Sequence, residues 1–198
     1  PRAAHGAPPD RRDARQGGDR LITVRLARPD DAPAIVALVN SAYRGDSSRA
    51  GWTTEADLLG GQRTDEAAIR DFIAGAPQQR MLVHEDADGA LQACVQLQSR
   101  GDYAYLGMLT IRPTLQAAGL GRALLAAAEH DAQTHWGISR MVMTVIEQRD
   151  ELIAWYERRG YSRTGETAAF PYGDARFGEP KRPDLRFVVL TKELPVVP

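Results

Sequence analysis

The sequence has few of the features that define several large classes of protein. It contains one cysteine, Cys94, which excludes a disulfide framework and a zinc site built from several thiolates. It has no apolar run of the roughly 18 residues that a transmembrane helix requires. With 25 basic and 26 acidic residues, no charge surplus points to nucleic acid or a membrane as partner. The lone cysteine fits a reducing compartment, so we expect a cytoplasmic protein.

Lysine is nearly missing as well. Of the 25 basic residues only Lys181 and Lys192 are lysines, and the rest are arginines. Together with abundant alanine, this bias is typical of GC-rich bacterial coding. Its chemical consequence is that the protein carries few side-chain amines.

The composition predicts one folded domain with a tail. A chain of 198 residues with 43% hydrophobic residues can bury one sizeable core. Residues 1–20 are rich in Pro, Gly, Arg and Asp and show no apolar periodicity, so we expect them to be disordered. Residues 21–198 then form the single domain.

Hydrophobic periodicity predicts strands and helices that alternate irregularly along this domain. Strands are expected near 21–27, 80–85, 90–98, 103–111, 140–146, 161–168 and 185–193. Helices are expected after Asp30, at 65–74, at 119–135 and at 150–159. A short helix is also predicted between Thr54 and Gly60, because Thr54 and Asp57 have capping-box spacing. Hairpins mixed with crossover helices predict an α+β domain with a mixed sheet.

The most informative segment is the loop that leads into the long helix, where Gly119 and Gly121 stand. The free N–H groups and the dipole of a helix start attract anions, and glycines let phosphate oxygens approach the backbone. A dinucleotide-binding loop needs a third glycine where Leu124 stands, and a Walker loop needs Lys after Gly121. Two interpretations of this segment stay open: a pyrophosphate-binding loop of another kind, and a plain helix start.

Two motifs at matching separation resemble the GCN5-related N-acetyltransferases. The first is Gln116-Ala-Ala-Gly119-Leu-Gly121, which follows a strand ending in Ile111-Arg-Pro113. The second is Ala154-Trp-Tyr156-Glu-Arg-Arg-Gly160-Tyr161. The order of elements is similar to that family from about residue 21 to 194.

This resemblance implies a twisted, mostly antiparallel sheet of about seven strands between helices. Its fourth and fifth strands splay apart, and acetyl-CoA enters the gap. Backbone groups of Leu109, Thr110 and Ile111 would then hold the pantetheine arm. The pyrophosphate would lie on the amides of Gln116, Ala117, Ala118, Gly119, Leu120, Gly121 and Arg122. Arg149 stands where the family often has Asn, and we expect it to contact a CoA phosphate.

The resemblance also implies catalytic residues. Tyr156 matches a family tyrosine near the CoA sulfur, where a phenol can donate a proton to the leaving thiolate. Amines are mostly protonated at neutral pH, so a proton acceptor is required. Glu147 at a strand end and Glu55 near the acceptor region are candidates for a base or a substrate anchor. Each carboxylate is alternatively a solvated or helix-capping group.

The acceptor site is less defined by the sequence. The family uses the segment after the first strand as one wall, which here contains Tyr43, Trp52 and Glu55. The connection between the last two strands, residues 170–184, is long and rich in aromatics and proline, and long ordered loops tend to be functional. We therefore expect Tyr172 near the substrate.

The predicted function is transfer of an acetyl group from acetyl-CoA to a primary amine of a small molecule, within a ternary complex. Cys94 lies mid-strand without an evident base, and the histidines lack metal-ligand spacing, so neither an acyl-cysteine nor a metal is expected. A protein N-terminus or lysine as acceptor, and a CoA-binding module without turnover, are the alternatives. The resemblance is compatible with a homodimer, although no segment identifies an interface.

Overall fold

The computed structural model describes residues 22–195, apart from the side chains of Ala117 and Ala118. The predicted disordered tail, residues 1–20, lies outside the described residues. The helices are α1 (Ala32–Tyr43), α2 (Glu66–Ala74), α3 (Leu120–Trp136) and α4 (Asp150–Glu157). The strands are β1 (Arg25–Leu26), β2 (Leu59–Gly60), β3 (Gln79–Glu85), β4 (Leu91–Ser99), β5 (Ala104–Ile111), β6 (Arg140–Ile146), β7 (Ser162–Ala169), β8 (Glu179–Pro180) and β9 (Arg186–Glu193). Within this part of the chain, no helix is long and apolar enough to cross a membrane.

Seven of these strands form one mixed sheet in the order β1-β3-β4-β5-β6-β9-β7. All neighbouring strands are antiparallel except β5 and β6, which run parallel. The mixed, mostly antiparallel sheet of seven strands is therefore confirmed. β2 and β8 pair with each other in a separate two-stranded ribbon.

Helices cover both faces of the sheet because its strands bury apolar residues on both sides. The face toward α1 and α2 buries, among others, Ile35, Val39, Ile69 and Met81. The face toward α3 and α4 buries, among others, Val95, Leu97, Leu124 and Ile153. Each fully buried aliphatic side chain of this size stabilises the fold by about 1.5–3 kcal/mol before entropy is counted. Cys94 and Val95 lie in opposite cores, as the alternation along β4 predicts.

The short helix predicted between Thr54 and Gly60 is wrong. Residues 56–58 form a turn, and Leu59–Gly60 is β2, which pairs with Glu179–Pro180. The Thr54 hydroxyl accepts a hydrogen bond from the Ala56 amide (3.1 Å), two residues on, which is a turn and not a helix cap. Pairing with a segment more than a hundred residues away in sequence thus overrides the local capping signal.

The sheet opens between β5 and β6. The two strands pair only at Ala104–Met141 and Tyr105–Val142, so their carboxyl ends diverge. β5 also contains an irregularity opposite β4, and Met108 there has a φ of +50°, which is rare for a non-glycine residue. β5 and β6 thus correspond to the fourth and fifth strands that the family resemblance implies to splay apart.

Candidate active site

Two adjoining cavities lie in the gap between β5 and β6. The first, of about 210 Å³, is called the α3 cavity and is lined by residues that include Leu109, Ile111, Gln116, Gly119, Gly121, Arg122, Trp155 and Arg159. The second, of about 140 Å³, is called the arginine cavity and is lined by residues that include Arg44, Glu55, Arg63, Arg149, Phe170, Phe177 and Phe187. Tyr43, Leu152 and Tyr156 line both cavities, so these three side chains mark the boundary between them.

The start of α3 lines the α3 cavity. The Ala123 amide donates to the Gly119 carbonyl (3.2 Å), and an α-helix leaves the amides of its first residues, here Leu120 and Gly121, without an acceptor inside the helix. Gly119 has a φ of +79°, which lets the chain turn sharply into the helix. A Cβ on Gly121 would lie 3.3 Å from Trp155 Cζ2, which is a tight contact. Glycine at this position therefore lets the helix start lie close to the Trp155 ring without a clash.

Most of the predicted cofactor residues lie around this cavity. Leu109, Ile111, Gln116, Gly119, Gly121 and Arg122 line it. Thr110 does not, because strand alternation turns its side chain to the opposite face, where its hydroxyl donates to the Met108 carbonyl (3.0 Å). Leu120 packs against the core. The prediction for Ala117 and Ala118 concerns their amides, in the 3-10 helix Pro113–Ala118, and their side chains lie outside the description.

The Gln116 side chain connects the α3 loop to the segment after α1. Its Oε1 accepts hydrogen bonds from the amides of Trp52 (2.8 Å) and Thr53 (3.3 Å), and its Nε2 donates to Thr53 Oγ1 (2.7 Å). The same Nε2 donates to the Ile111 carbonyl (3.2 Å). The side chain therefore positions a neighbouring loop, and only its backbone is left for a ligand.

The sequence analysis missed four residues that line the α3 cavity: Thr53, Leu152, Trp155 and Arg159. Trp155 forms one wall, and the guanidinium carbon of Arg159 lies 3.6 Å from the centroid of its ring. Burial lowers the pKa of Arg159, and the positive charges of Arg158 and Arg122 lower it further. Arg122 and Arg159 both line the cavity beside the start of α3, so its positive charge favours a phosphate. The Arg158–Arg159 pair inside the second motif is the signal that could have identified this charge.

Tyr156 lies at the meeting point of the two cavities. Its ring is buried between Trp155 and Tyr161, with centroids 5.0 and 5.7 Å away. Among the described residues its hydroxyl has no hydrogen-bond partner, so it is available to a ligand in the gap. Burial and the neighbouring Tyr43 raise its pKa well above the ordinary 10.0, so the phenol stays protonated and can donate.

Glu55 forms the centre of a buried ionic network in the arginine cavity. Its Oε2 accepts a hydrogen bond from Arg44 Nη1, and its Oε1 accepts one from Arg149 Nη1 (2.9 Å). Burial alone would raise the pKa of the carboxyl, but the charges of Arg149, Arg44 and Arg63 outweigh it and hold the pKa below its ordinary value. A carboxylate so strongly stabilised in its ionised form is a poor proton acceptor. The geometry therefore argues against Glu55 as the base.

Two further predictions do not agree with the structure. Glu147 lines neither cavity and forms an ion pair with Arg186, whose Nη2 lies 2.8 Å from its Oε1. Hydrogen bonding to Arg186 also lowers its pKa, so it is badly placed and too acidic for the predicted base. Arg149 does not reach the α3 cavity, because Glu55 and the Thr53 carbonyl hold its side chain in the arginine cavity. It is therefore not positioned for a CoA phosphate.

The predicted acceptor residues are distributed unevenly. Tyr43 lines both cavities, and its hydroxyl donates to the Leu109 carbonyl (2.5 Å). Trp52 lies instead at the α3 cavity, 6.0 Å from Trp155 between ring centroids. Tyr172 lines neither cavity; its hydroxyl donates to the Arg182 carbonyl (2.8 Å) and accepts from the Leu185 amide (2.8 Å). The loop of residues 170–184 does reach the arginine cavity, but through Phe170 and Phe177. Which of its aromatic side chains lines the cavity depends on how the loop packs against the rest of the fold.

Comparison with known proteins identifies the family. The model of the acetyltransferase (GNAT) family matches residues 38–161, and the chain belongs to this family. Mycothiol acetyltransferase of Salinispora tropica is 30% identical over 152 residues, which is 72% of this chain. The match spans only 45% of that relative, so the chain corresponds to less than half of it.

Solved structures support the same fold. The ribosomal-protein-S18-alanine N-acetyltransferase from Escherichia coli superimposes with a TM-score of 0.63 at 17% identity, covering 89% of this chain and 96% of that one. A variant spermidine N-acetyltransferase from Vibrio cholerae gives a TM-score of 0.61 at 16% identity, covering 87% and 95%. Both describe the fold alone at this identity. The chain thus belongs to the acetyltransferase (GNAT) family and shares the fold of these solved structures.

Proposed function

We propose that this protein transfers the acetyl group of acetyl-CoA to a primary amine of a small molecule, by direct attack while both substrates are bound. One observation carries this proposal: two cavities, one suited to a phosphate-bearing chain and one suited to a polar small molecule, meet at an unpartnered tyrosine hydroxyl. The meeting point is where the reacting groups of two substrates would come together.

The residues of the α3 cavity fit acetyl-CoA. The amides at the start of α3 would donate hydrogen bonds to the pyrophosphate, and Arg122 and Arg159 add positive charge beside it. The side chains of Leu109, Ile111 and Trp155 give the remaining wall an apolar surface suited to the pantetheine arm. The bound cosubstrate would supply a thioester, whose carbonyl carbon is open to attack by an amine.

Tyr156 then acts on the leaving group. As the amine nitrogen bonds to the acetyl carbon, the C–S bond breaks and its electron pair goes to sulfur. The Tyr156 hydroxyl donates a hydrogen bond or its proton there, which its high pKa allows because it is protonated at the start. Glu55 and Glu147 are unsuited as bases, so we assign the proton lost by the amine to solvent in the gap.

The small volume of the arginine cavity supports a small acceptor. This volume is about 140 Å³, and Phe170, Phe177 and Phe187 are among the residues that line it. A protein N-terminus needs an open groove for the following residues. The structural neighbours act on both kinds of acceptor, so the distinction rests on this cavity.

A thiol-release assay with acetyl-CoA and a panel of small amines tests the proposal. We expect turnover with at least one small amine and loss of most of it in Tyr156→Phe. Turnover only with peptide N-termini or protein lysines would contradict the small acceptor. Tight binding of acetyl-CoA without turnover on any acceptor would indicate a binding module, and no binding at all would refute the assignment of the α3 cavity.

A further inference from the structure

The positive and negative charges of the side chains that line the arginine cavity do not cancel. Three of them are arginines, Arg44, Arg63 and Arg149, and one is a carboxylate, Glu55. The side chains of Arg44, Arg149 and Glu55 are 5%, 8% and 9% exposed, so water screens their charges poorly. The wall of the cavity therefore carries an excess of positive charge.

Glu55 cannot neutralise this excess. One of its oxygens bonds to Arg44 and the other to Arg149, so both are already used. The Nε and Nη2 atoms of Arg44 are buried without a hydrogen-bond partner. Within residues 22–195, no carboxylate lies within ion-pair distance of Arg63. Buried charge without a counter-charge is unfavourable, and a ligand that brings an anion would relieve it.

The backbone at Arg63 is held in place independently of any ligand. Asn40, on α1, accepts hydrogen bonds from the amides of Arg63 (2.7 Å) and Thr64 (3.3 Å). It also donates to the Thr64 carbonyl (3.1 Å). The guanidinium carbons of Arg63 and Arg149 each lie 5.9 Å from the centroid of the Tyr43 ring. Both arginines line the arginine cavity beside Tyr43, and the charges of both act on Glu55, so the two cations belong to one group of charges, which we call the arginine cluster. Because the backbone of Arg63 is already fixed, an anion bound there orders less of the chain.

The rest of the cavity defines what must accompany the anion. Tyr156, at the boundary with the α3 cavity, marks the place of the reacting amine. Phe170, Phe177 and Phe187 form an apolar wall on the other side. A ligand that satisfies all three surfaces has an amine, an anionic group and an apolar body.

On the basis of the proposed acetyl transfer, we infer that the acceptor is an amine that also carries an oxyanion, as an α-amino acid does, and that Arg63 and Arg149 bind this oxyanion. The amine then faces Tyr156, and the apolar part packs on the phenylalanine rings. The same arginines repel acceptors whose further groups are cationic, so polyamines are excluded by charge.

The test compares acceptors that differ in one charge. Thiol release from acetyl-CoA is measured with L-phenylalanine, L-leucine and L-methionine, with their carboxamides, and with spermidine. The amides have the less basic amine and hence more of the neutral, reactive form at pH 8, so amine reactivity alone favours them. We expect the opposite order: kcat/KM at least tenfold higher for the acids than for the amides, and no measurable turnover of spermidine.

Substitution of Arg63 tests whether Arg63 and Arg149 cause the preference for acids over amides. Arg63→Gln is expected to raise KM for the acids about tenfold or more, while KM for acetyl-CoA and kcat/KM for the amides change less than twofold. Arg63→Lys keeps the charge and should restore at least a third of the preference. Arg70→Gln is the matched control, because Arg70 lies exposed on α2 away from both cavities.

The outcomes separate this inference from the function on which it rests. Efficient turnover of amides or spermidine, or an equal loss for acids and amides in Arg63→Gln, would overturn the acceptor class and leave the acetyltransferase assignment standing. Binding of acetyl-CoA without turnover of any acceptor would overturn both.

Discussion

The two cavities that meet at Tyr156 are lined by different kinds of residue. The α3 cavity is lined by Gly119 and Gly121 at the start of α3, by apolar and aromatic side chains, and by Arg122 and Arg159. The arginine cavity is lined by charged side chains, most of them buried, and by three phenylalanine rings. The first surface can serve any member of a family with a common cosubstrate. The second depends on individual side chains, and it is there that members of one family can differ in acceptor.

The largest expected effect lies where the cavities meet. Tyr156→Phe removes the proton donor and should lower kcat by about 10²–10⁴-fold, the range for a positioned acid or base. The KM values should change little, because the ring remains. The pKa of Tyr156 lies above 10, so the phenol is protonated on both sides of neutrality and the ratio of wild-type to variant kcat should stay constant from pH 7 to 9. A ratio that falls toward pH 9 would contradict the role of the protonated phenol.

The next largest effect is expected on the stability of the fold, when the buried carboxylate of the arginine cavity is removed. Glu55→Gln leaves Arg44 and Arg149 without their carboxylate, and breaking a buried ion pair in this way costs about 3–5 kcal/mol. The pKa of Glu55 is depressed, so this contribution is present above the unfolded value and is lost as pH falls through the lower folded value. The difference in urea midpoint between wild type and variant at pH 7 should therefore shrink in strongly acidic buffer.

The matched control for that experiment is Asp57→Asn. Asp57 also pairs with an arginine, Arg49, at 2.7 Å, but its side chain is 75% exposed. Its removal should leave the urea midpoint unchanged. Equal effects of the two substitutions would mean that burial does not distinguish the two ion pairs.

A smaller effect tests the α3 cavity. Gly121→Val places a branched side chain against Trp155, where the Cβ alone is 3.3 Å from the ring. Overpacking of this kind costs about 1–3 kcal/mol of folding stability. Because the valine side chain also occupies space in the α3 cavity, we expect KM for acetyl-CoA to rise roughly tenfold, or about 1.4 kcal/mol of binding. Ala126→Val, on the exposed side of the same helix, is the control and should not change KM. If Gly121→Val raised KM for the acceptor instead, the assignment of the two cavities would be reversed.

The smallest effect is expected outside both cavities. Tyr172→Phe removes two hydrogen bonds inside the loop that carries Phe177, each worth about 0.5–1.5 kcal/mol. The acceptor KM should rise less than threefold, and KM for acetyl-CoA should not change. A loss of activity as large as that of Tyr156→Phe would show that Tyr172 contacts the substrate after all.

The sequence predicted the α3 cavity better than the arginine cavity for a physical reason. A helix start with Gly119 and Gly121 is encoded within a few residues, and Tyr156 belongs to a motif of similar length. The ionic network joins Glu55 to Arg44, 11 positions away, and to Arg149, 94 positions away. Such pairings exist only after the sheet has formed. The β2–β8 ribbon, which replaced a predicted helix, was missed for the same reason.

The opening between β5 and β6 also has a thermodynamic consequence. β1, β3, β4 and β5 are joined to the other three strands of the sheet by only two residue pairs, Ala104–Met141 and Tyr105–Val142. Under the proposed function, acetyl-CoA would lie between the two groups of strands and contact both. A ligand that binds only the folded chain stabilises it by about 2.7 kcal/mol at a hundred times its Kd. Resistance to proteolysis should therefore rise with acetyl-CoA concentration, and the supply of the cosubstrate would set the amount of enzyme as well as its rate.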